Sequence, residues 1–158
     1  MQTNHRINLL PFKRALSLGL LLGGLWFCRA VAGAEEILRI YDYKGFDTNG
    51  VLQVSGVITL RLDDTVKIKG DWKLQVLNRD KLKEAGPQDG SGKISGQFKE
   101  DTIFLNLNPD QVQDNIYLDG KVTDAKYSEI KGKWGYYAFV GKVTGGNFEM
   151  VRKQAPAK

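Results

Sequence analysis

Beyond residue 35, apolar and polar positions alternate with a period of two in segment after segment. The clearest case spans 66–76. Val66, Ile68, Gly70, Trp72, Leu74 and Val76 share one face, and Lys67, Lys69, Asp71, Lys73 and Gln75 share the other. That period marks a strand with one face buried. Leu52, Val54, Gly56, Ile58, Leu60 and Leu62 repeat it, as do Ile94-Gly96-Phe98, Ile103-Leu105-Leu107, Ile116-Leu118-Gly120-Val122 and Ile130-Gly132-Trp134-Tyr136-Ala138. A last segment places Gly146, Phe148, Met150 and Arg152 together. With residues 37–43 in front, the pattern predicts about eight strands. Turn chemistry separates them: Asp47-Thr48-Asn49-Gly50, Asp63-Asp64, residues 86–92, Asn108-Pro109-Asp110, Asp124-Ala125 and Gly141. Only residues 78–85 (NRDKLKEA) read as a short helix, and 154–158 read as a disordered tail.

One motif recurs inside the alternation. An apolar residue or Thr, then any residue, Gly, any residue and a large apolar residue occurs around Gly56, Gly70, Gly96, Gly120, Gly132 and Gly146. The intervals are 14, 26, 24, 12 and 14 positions, the rhythm of one strand plus one turn in a meander, with the long gaps about double the short ones. A mid-strand Gly costs roughly 0.5–1 kcal/mol relative to Ala. Strongly coiled strands offset that cost, because Gly permits the bend and leaves room for a neighbouring ring. The expected fold is therefore an all-β, antiparallel up-and-down meander forming a small closed or nearly closed barrel. A β-sandwich is the alternative.

The first 34 residues differ in kind. Arg6, Lys13 and Arg14 precede an apolar run of 13 at 15–27, and Ala32-Gly33-Ala34 follows. That order is a secretory signal peptide, with cleavage before Glu35. The run is shorter than the roughly 20 residues of a membrane span, so an uncleaved anchor is the lesser alternative. Trp26 and Phe27 sit where a lipidation signal wants small residues, so Cys28 reads as a chance cysteine. The domain expectation is a signal peptide at 1–34, one barrel domain at 35–153, and the tail. The location is exported, periplasmic or extracellular.

Charge and chemistry change with that division. Four of the 23 Lys and Arg precede Glu35 and all 18 acids follow Ala34, which leaves residues 35–158 at +1 rather than +5. Nucleic acid and anionic membranes both need a stronger positive field, so neither is expected as a partner; membrane contact would come only through an uncleaved leader. His5 and Cys28 are the single His and Cys. Without the leader, disulfides, thiol catalysis, Ser-His-Asp triads and the usual zinc sites are excluded. No metal or cofactor is expected.

Repeated Gly-x-Trp/Phe strands in a meander, with Gly132-Lys133-Trp134 and Gly146-Asn147-Phe148 near the end, resemble the lipocalin and avidin (calycin) group of small exported barrels. The resemblance implies the fold and no particular ligand. It also implies that Arg152 lies across Trp72 or Trp134 as a barrel-closing cation–π contact.

Two sets of aromatics are candidates for binding. Trp72, Phe98, Trp134, Tyr136 and Phe148 fall on the inward face, where they line a ligand cavity or fill the barrel themselves. Tyr117, Tyr137 and Phe139 fall outward, as a strip for a protein or glycan partner or as ordinary cross-strand pairs. Lys67, Lys69, Lys73, Lys131 and Lys133 read as a solvated face, and the Asp47 and Asn108 turns lack a calcium-loop pattern. Asp42, Asp47, Asp63 and Asp64 keep a carboxylate hydrolase formally open. The expected function is a non-enzymatic binding module for a small apolar ligand or a surface partner. The alternative is a structural, envelope-associated or inhibitory protein with a filled core.

Overall fold

The computed structural model describes residues 37–62, 66–111, 113–124 and 126–154. The leader, Asp63, Asp64 and most of the expected tail lie outside the described residues.

Eight strands run in sequence order: β1 (Ile37–Phe46), β2 (Leu52–Leu62), β3 (Lys67–Val76), β4 (Gly90–Lys99), β5 (Thr102–Leu107), β6 (Asn115–Val122), β7 (Glu129–Ala138) and β8 (Gly141–Arg152). Each pairs antiparallel with its neighbour in sequence, and β1 pairs with β8 from Tyr41↔Arg152 to Phe46↔Asn147. That last ladder closes the barrel and removes the sandwich alternative. It also leaves neither terminal strand as an open edge.

Alternation sets the core. Along β3, Ile68, Gly70, Trp72, Leu74 and Val76 are buried and the residues between them are not. The same rule brings Tyr41, Tyr43, Ile58, Leu60, Ile94, Leu105, Leu118, Ile130, Trp134, Phe148 and Met150 together in one continuous interior. Tyr43 and Phe148 stack there at 6.0 Å.

The repeated glycines are explained mainly by backbone. A Cβ at Gly146 would land on the Phe46 carbonyl oxygen, and one at Gly132 on that of Asp119. The neighbouring strand passes over the Gly because the sheet is so strongly coiled. Ring clearance operates at Gly120, where a Cβ would come 2.6 Å from Phe148 Cζ.

The two ends differ. The upper end carries the β1–β2, β3–β4, β5–β6 and β7–β8 connections. Within the β3–β4 connection, Asn78 caps a 3-10 turn (Arg79–Lys81) by accepting from the Asp80 amide at 3.1 Å, and α1 (Leu82–Ala85) follows. Ala85 and Gln88 are buried beneath it. The Gln88 amide donates to the Ala85 carbonyl at 2.7 Å and accepts from the Tyr43 hydroxyl at 2.8 Å. This short segment seals the upper end. The lower end carries the β2–β3, β4–β5 and β6–β7 connections.

Candidate functional site

The lower mouth is partly covered by the connection between β6 and β7. Asp124 organises it: Oδ1 accepts from the Ser128 amide at 2.8 Å and the Lys126 amide at 3.1 Å, and Oδ2 accepts from the Ser128 hydroxyl. These bonds, the Ser128 hydroxyl first, hold the Asp124 carboxyl below its ordinary range. The loop delivers Tyr127 with a left-handed backbone, φ 54°, unusual for so bulky a residue. Its carbonyl accepts from the Tyr41 hydroxyl at 3.1 Å. Its ring lies 5.2 Å from Phe98, tilted by 60°, and the Arg39 guanidinium carbon sits 4.2 Å from the ring centroid.

These contacts leave a concavity of about 360 Å³ lined by Phe98, Glu100, Asp101, Val122, Thr123, Asp124 and Tyr127. Phe98 and Val122 also pack against the core, so the floor is apolar and continuous with the interior. The rim is acidic, with Asp101 3.9 Å from the Lys121 ammonium. Just inside, burial raises the Tyr41 hydroxyl above its ordinary pKa, and nearby Arg39 and Arg152 oppose that shift. Arg39 Nε is enclosed with no hydrogen-bond partner among the described protein groups.

The five inward aromatics do not meet in one cavity. Trp72, Trp134 and Phe148 are core residues, Trp72 only 4% exposed. The Trp134 indole donates to the Phe46 carbonyl at 2.8 Å, whereas the Trp72 Nε1 has no partner among the described residues. Tyr136 is half-buried at the upper end, where a Cβ on Gly86 would lie 3.1 Å from it. Phe98 alone of the five lines the mouth concavity.

Arg152 requires a correction. It pairs with Tyr41 at the lower end, is exposed, and directs Nη1 towards the Lys126 carbonyl at 3.5 Å. The guanidinium over a ring is that of Arg39 on Tyr127, so cation–π chemistry closes this mouth from the first strand and onto a loop tyrosine.

On the outer wall, Tyr117 and Tyr137 meet edge to face at 5.5 Å. Phe139 does not extend that strip. The register shifts between Tyr136 and Tyr137, β7 ends at Ala138, and Phe139 stands at the hairpin tip, 78% exposed, beside Val140 at 91%. Asp42 is on the outer wall, 3.0 Å from the Lys153 ammonium. Asp47 is committed to its own turn, accepting from the Asn49 and Val51 amides, both at 2.9 Å, and from the Gln53 side chain at 3.1 Å.

Sequence reasoning missed Arg39 and Tyr127. Arg39 shares the inward phase of Tyr41 and Tyr43, so a cation aimed into the mouth was readable from β1. Tyr127 sits in a loop, where no period signals direction. No protein-family model matches this chain, and no curated protein matches it.

Proposed function

We propose that this chain is an exported, non-enzymatic binding barrel that takes a small apolar ligand at its lower mouth. The observation that carries the reading is the 360 Å³ concavity floored by Phe98, Val122 and Tyr127. Its size falls within the roughly 300–1,000 Å³ of small-molecule sites. The packed interior directs a ligand to the mouth rather than to the centre. There it would cover the Phe98 and Val122 surfaces that the core leaves half exposed.

Glu100, Asp101 and Asp124 on the rim disfavour a ligand with an anionic head. The ligand class is therefore an uncharged or cationic apolar molecule of modest size. Export rests on the leader pattern, and the calycin-like reading on the closed meander. A structural role with no ligand is the second reading, favoured by how completely Trp72, Trp134 and Phe148 fill the centre.

The test uses a neutral fluorescent probe, N-phenyl-1-naphthylamine, with the exported protein and its Thr123→Trp variant. Thr123 is exposed on the rim, so an indole there occupies the concavity without disturbing the core. The expected result is saturable binding that weakens about tenfold or more in the variant, the loss that follows when roughly 1.4 kcal/mol of contact is removed. Equal binding by both proteins would place the probe elsewhere and sink the proposal.

A further inference from the structure

A groove at the upper end, remote from the mouth, has a different chemistry. It encloses about 780 Å³ between the β1–β2 turn, the segment around α1, β7 and the first half of β8. Thr48, Asn49, Lys81, Lys133, Lys142 and Asn147 are among its polar side chains, and the Thr144 hydroxyl donates to the Glu84 carbonyl at 2.9 Å. Its two acids are engaged. Asp47 is held by its three turn donors, and Glu84 lies 3.4 Å from the Lys81 ammonium.

The remaining groups are unspent. Lys133 and Lys142 have no ion pair, and the side chains of Thr48, Asn49 and Asn147 have no hydrogen bond, among the described residues. The floor is bare backbone at Gly145 and Gly146. The Lys142 stem lies over that floor: a Cβ at Gly145 would come 2.9 Å from its Cε, and one at Gly135 3.5 Å. A Gly135 Cβ would also come 2.9 Å from the ring of Tyr137, so the Lys142 stem runs from beside that tyrosine into the groove.

We infer that this groove is a binding site for an acidic oligosaccharide, independent of the ligand at the mouth. Amide and hydroxyl side chains both donate and accept, which suits a ligand rich in hydroxyl groups. The two lysines that carry the unpaired ammonium groups are rooted at different points of the groove wall. Lys133 pairs with Asn147 across the ladder and Lys142 pairs with Tyr137, four positions further along β7. That offset is roughly 13 Å between backbone positions, and the Lys142 stem folds back along it until Nζ lies 3.1 Å from where a Gly145 Cβ would be. Two cations along one groove suit the repeated carboxylates of an extended acidic chain, and the neighbouring tyrosines offer sugar rings an apolar face. Lys81, already paired, contributes less.

An oligogalacturonate is the probe, titrated against the purified protein by calorimetry, beside a neutral maltooligosaccharide and inorganic phosphate. The double variant Lys133→Gln with Lys142→Gln removes both charges and keeps the first two methylenes of each stem, and both positions are exposed, so an unchanged thermal midpoint certifies its fold. Oligogalacturonate binding is expected to weaken about tenfold in the double variant, as loss of two charge-assisted contacts implies. The neutral sugar and phosphate are expected to bind far more weakly than the acidic one. Absence of oligogalacturonate binding, equal affinity in the double variant, or competition by phosphate at similar concentration would each overturn the inference. The naphthylamine probe reads the mouth separately, so failure of one site is distinguishable from failure of the other.

Discussion

Two tryptophans on the same inward face make different demands. Trp134 gives its indole proton to the Phe46 carbonyl, while Trp72 gives its own to no group among the described residues. Replacement by Phe removes a similar volume at both sites, but at Trp134 it also removes a hydrogen bond to a part-buried carbonyl. Trp134→Phe should therefore cost about 1–3 kcal/mol more than Trp72→Phe, measured by urea unfolding. A smaller loss at Trp134 would mean that its hydrogen bond contributes nothing net. Gly120 offers a second test. Gly120→Val would drive its Cβ to within 2.6 Å of Phe148 Cζ. Overpacking of that kind costs about 1–3 kcal/mol, and the midpoint of chemical unfolding should fall accordingly. These inward positions were legible in the sequence because a period of two needs only the order of apolar and polar residues. The hydrogen-bond status of each indole was not, because Phe46 is brought to Trp134 only by barrel closure.

At the scale of elements, the eight strands and the short helical segment followed from alternation and turn residues. The glycine repeat also pointed to a coiled barrel, although its main cause is a neighbouring carbonyl rather than a ring. Two register shifts limited the reading. The one between Gly45 and Phe46 and the one between Tyr136 and Tyr137 change phase without any mark in the pattern. Phe139 falls at a hairpin tip and not on the outer strip because β7 ends at Ala138. The β6–β7 connection was equally opaque, since a loop tyrosine has no face until Asp124 folds the chain around it.

That loop carries a pH prediction. The folded state holds the Asp124 carboxyl below its unfolded value of about 3.9. Its contribution is therefore complete above that value and is lost as pH falls through the lower folded one. Asp47 behaves alike, with the Val51 amide as the first cause. Thermal midpoints measured from pH 7 down to pH 2 should decline steeply at the acid end, and Asp124→Asn should flatten part of that decline. An identical acid profile for the variant would show that the loop bonds do not couple to stability.

For the whole molecule, closure by the β1–β8 ladder makes two unlike ends on a packed centre. The upper end is sealed by Ala85 and Gln88 beneath α1, with Tyr43 hydrogen-bonded into it. Burial pushes the Tyr43 and Tyr41 hydroxyls up, so both favour the neutral phenol in the folded barrel. For a group whose folded pKa is raised, stability is full below the unfolded value near 10 and falls as pH rises beyond it. Alkaline unfolding should accompany tyrosinate absorbance in a single transition. Early ionisation of these two tyrosines in an intact fold would contradict that picture.

Among the described residues, the lower end is covered by a tyrosine held between Phe98 and Arg39, and the proposed ligand site lies beside it. The measurement that tests this most directly is a native mass spectrum of the protein purified from its native source, compared with a denatured spectrum and with the Thr123→Trp variant. The account predicts a discrete extra mass on the native protein that disappears on unfolding and is absent from the variant. A bare native mass, or the same extra mass on both proteins, would contradict it.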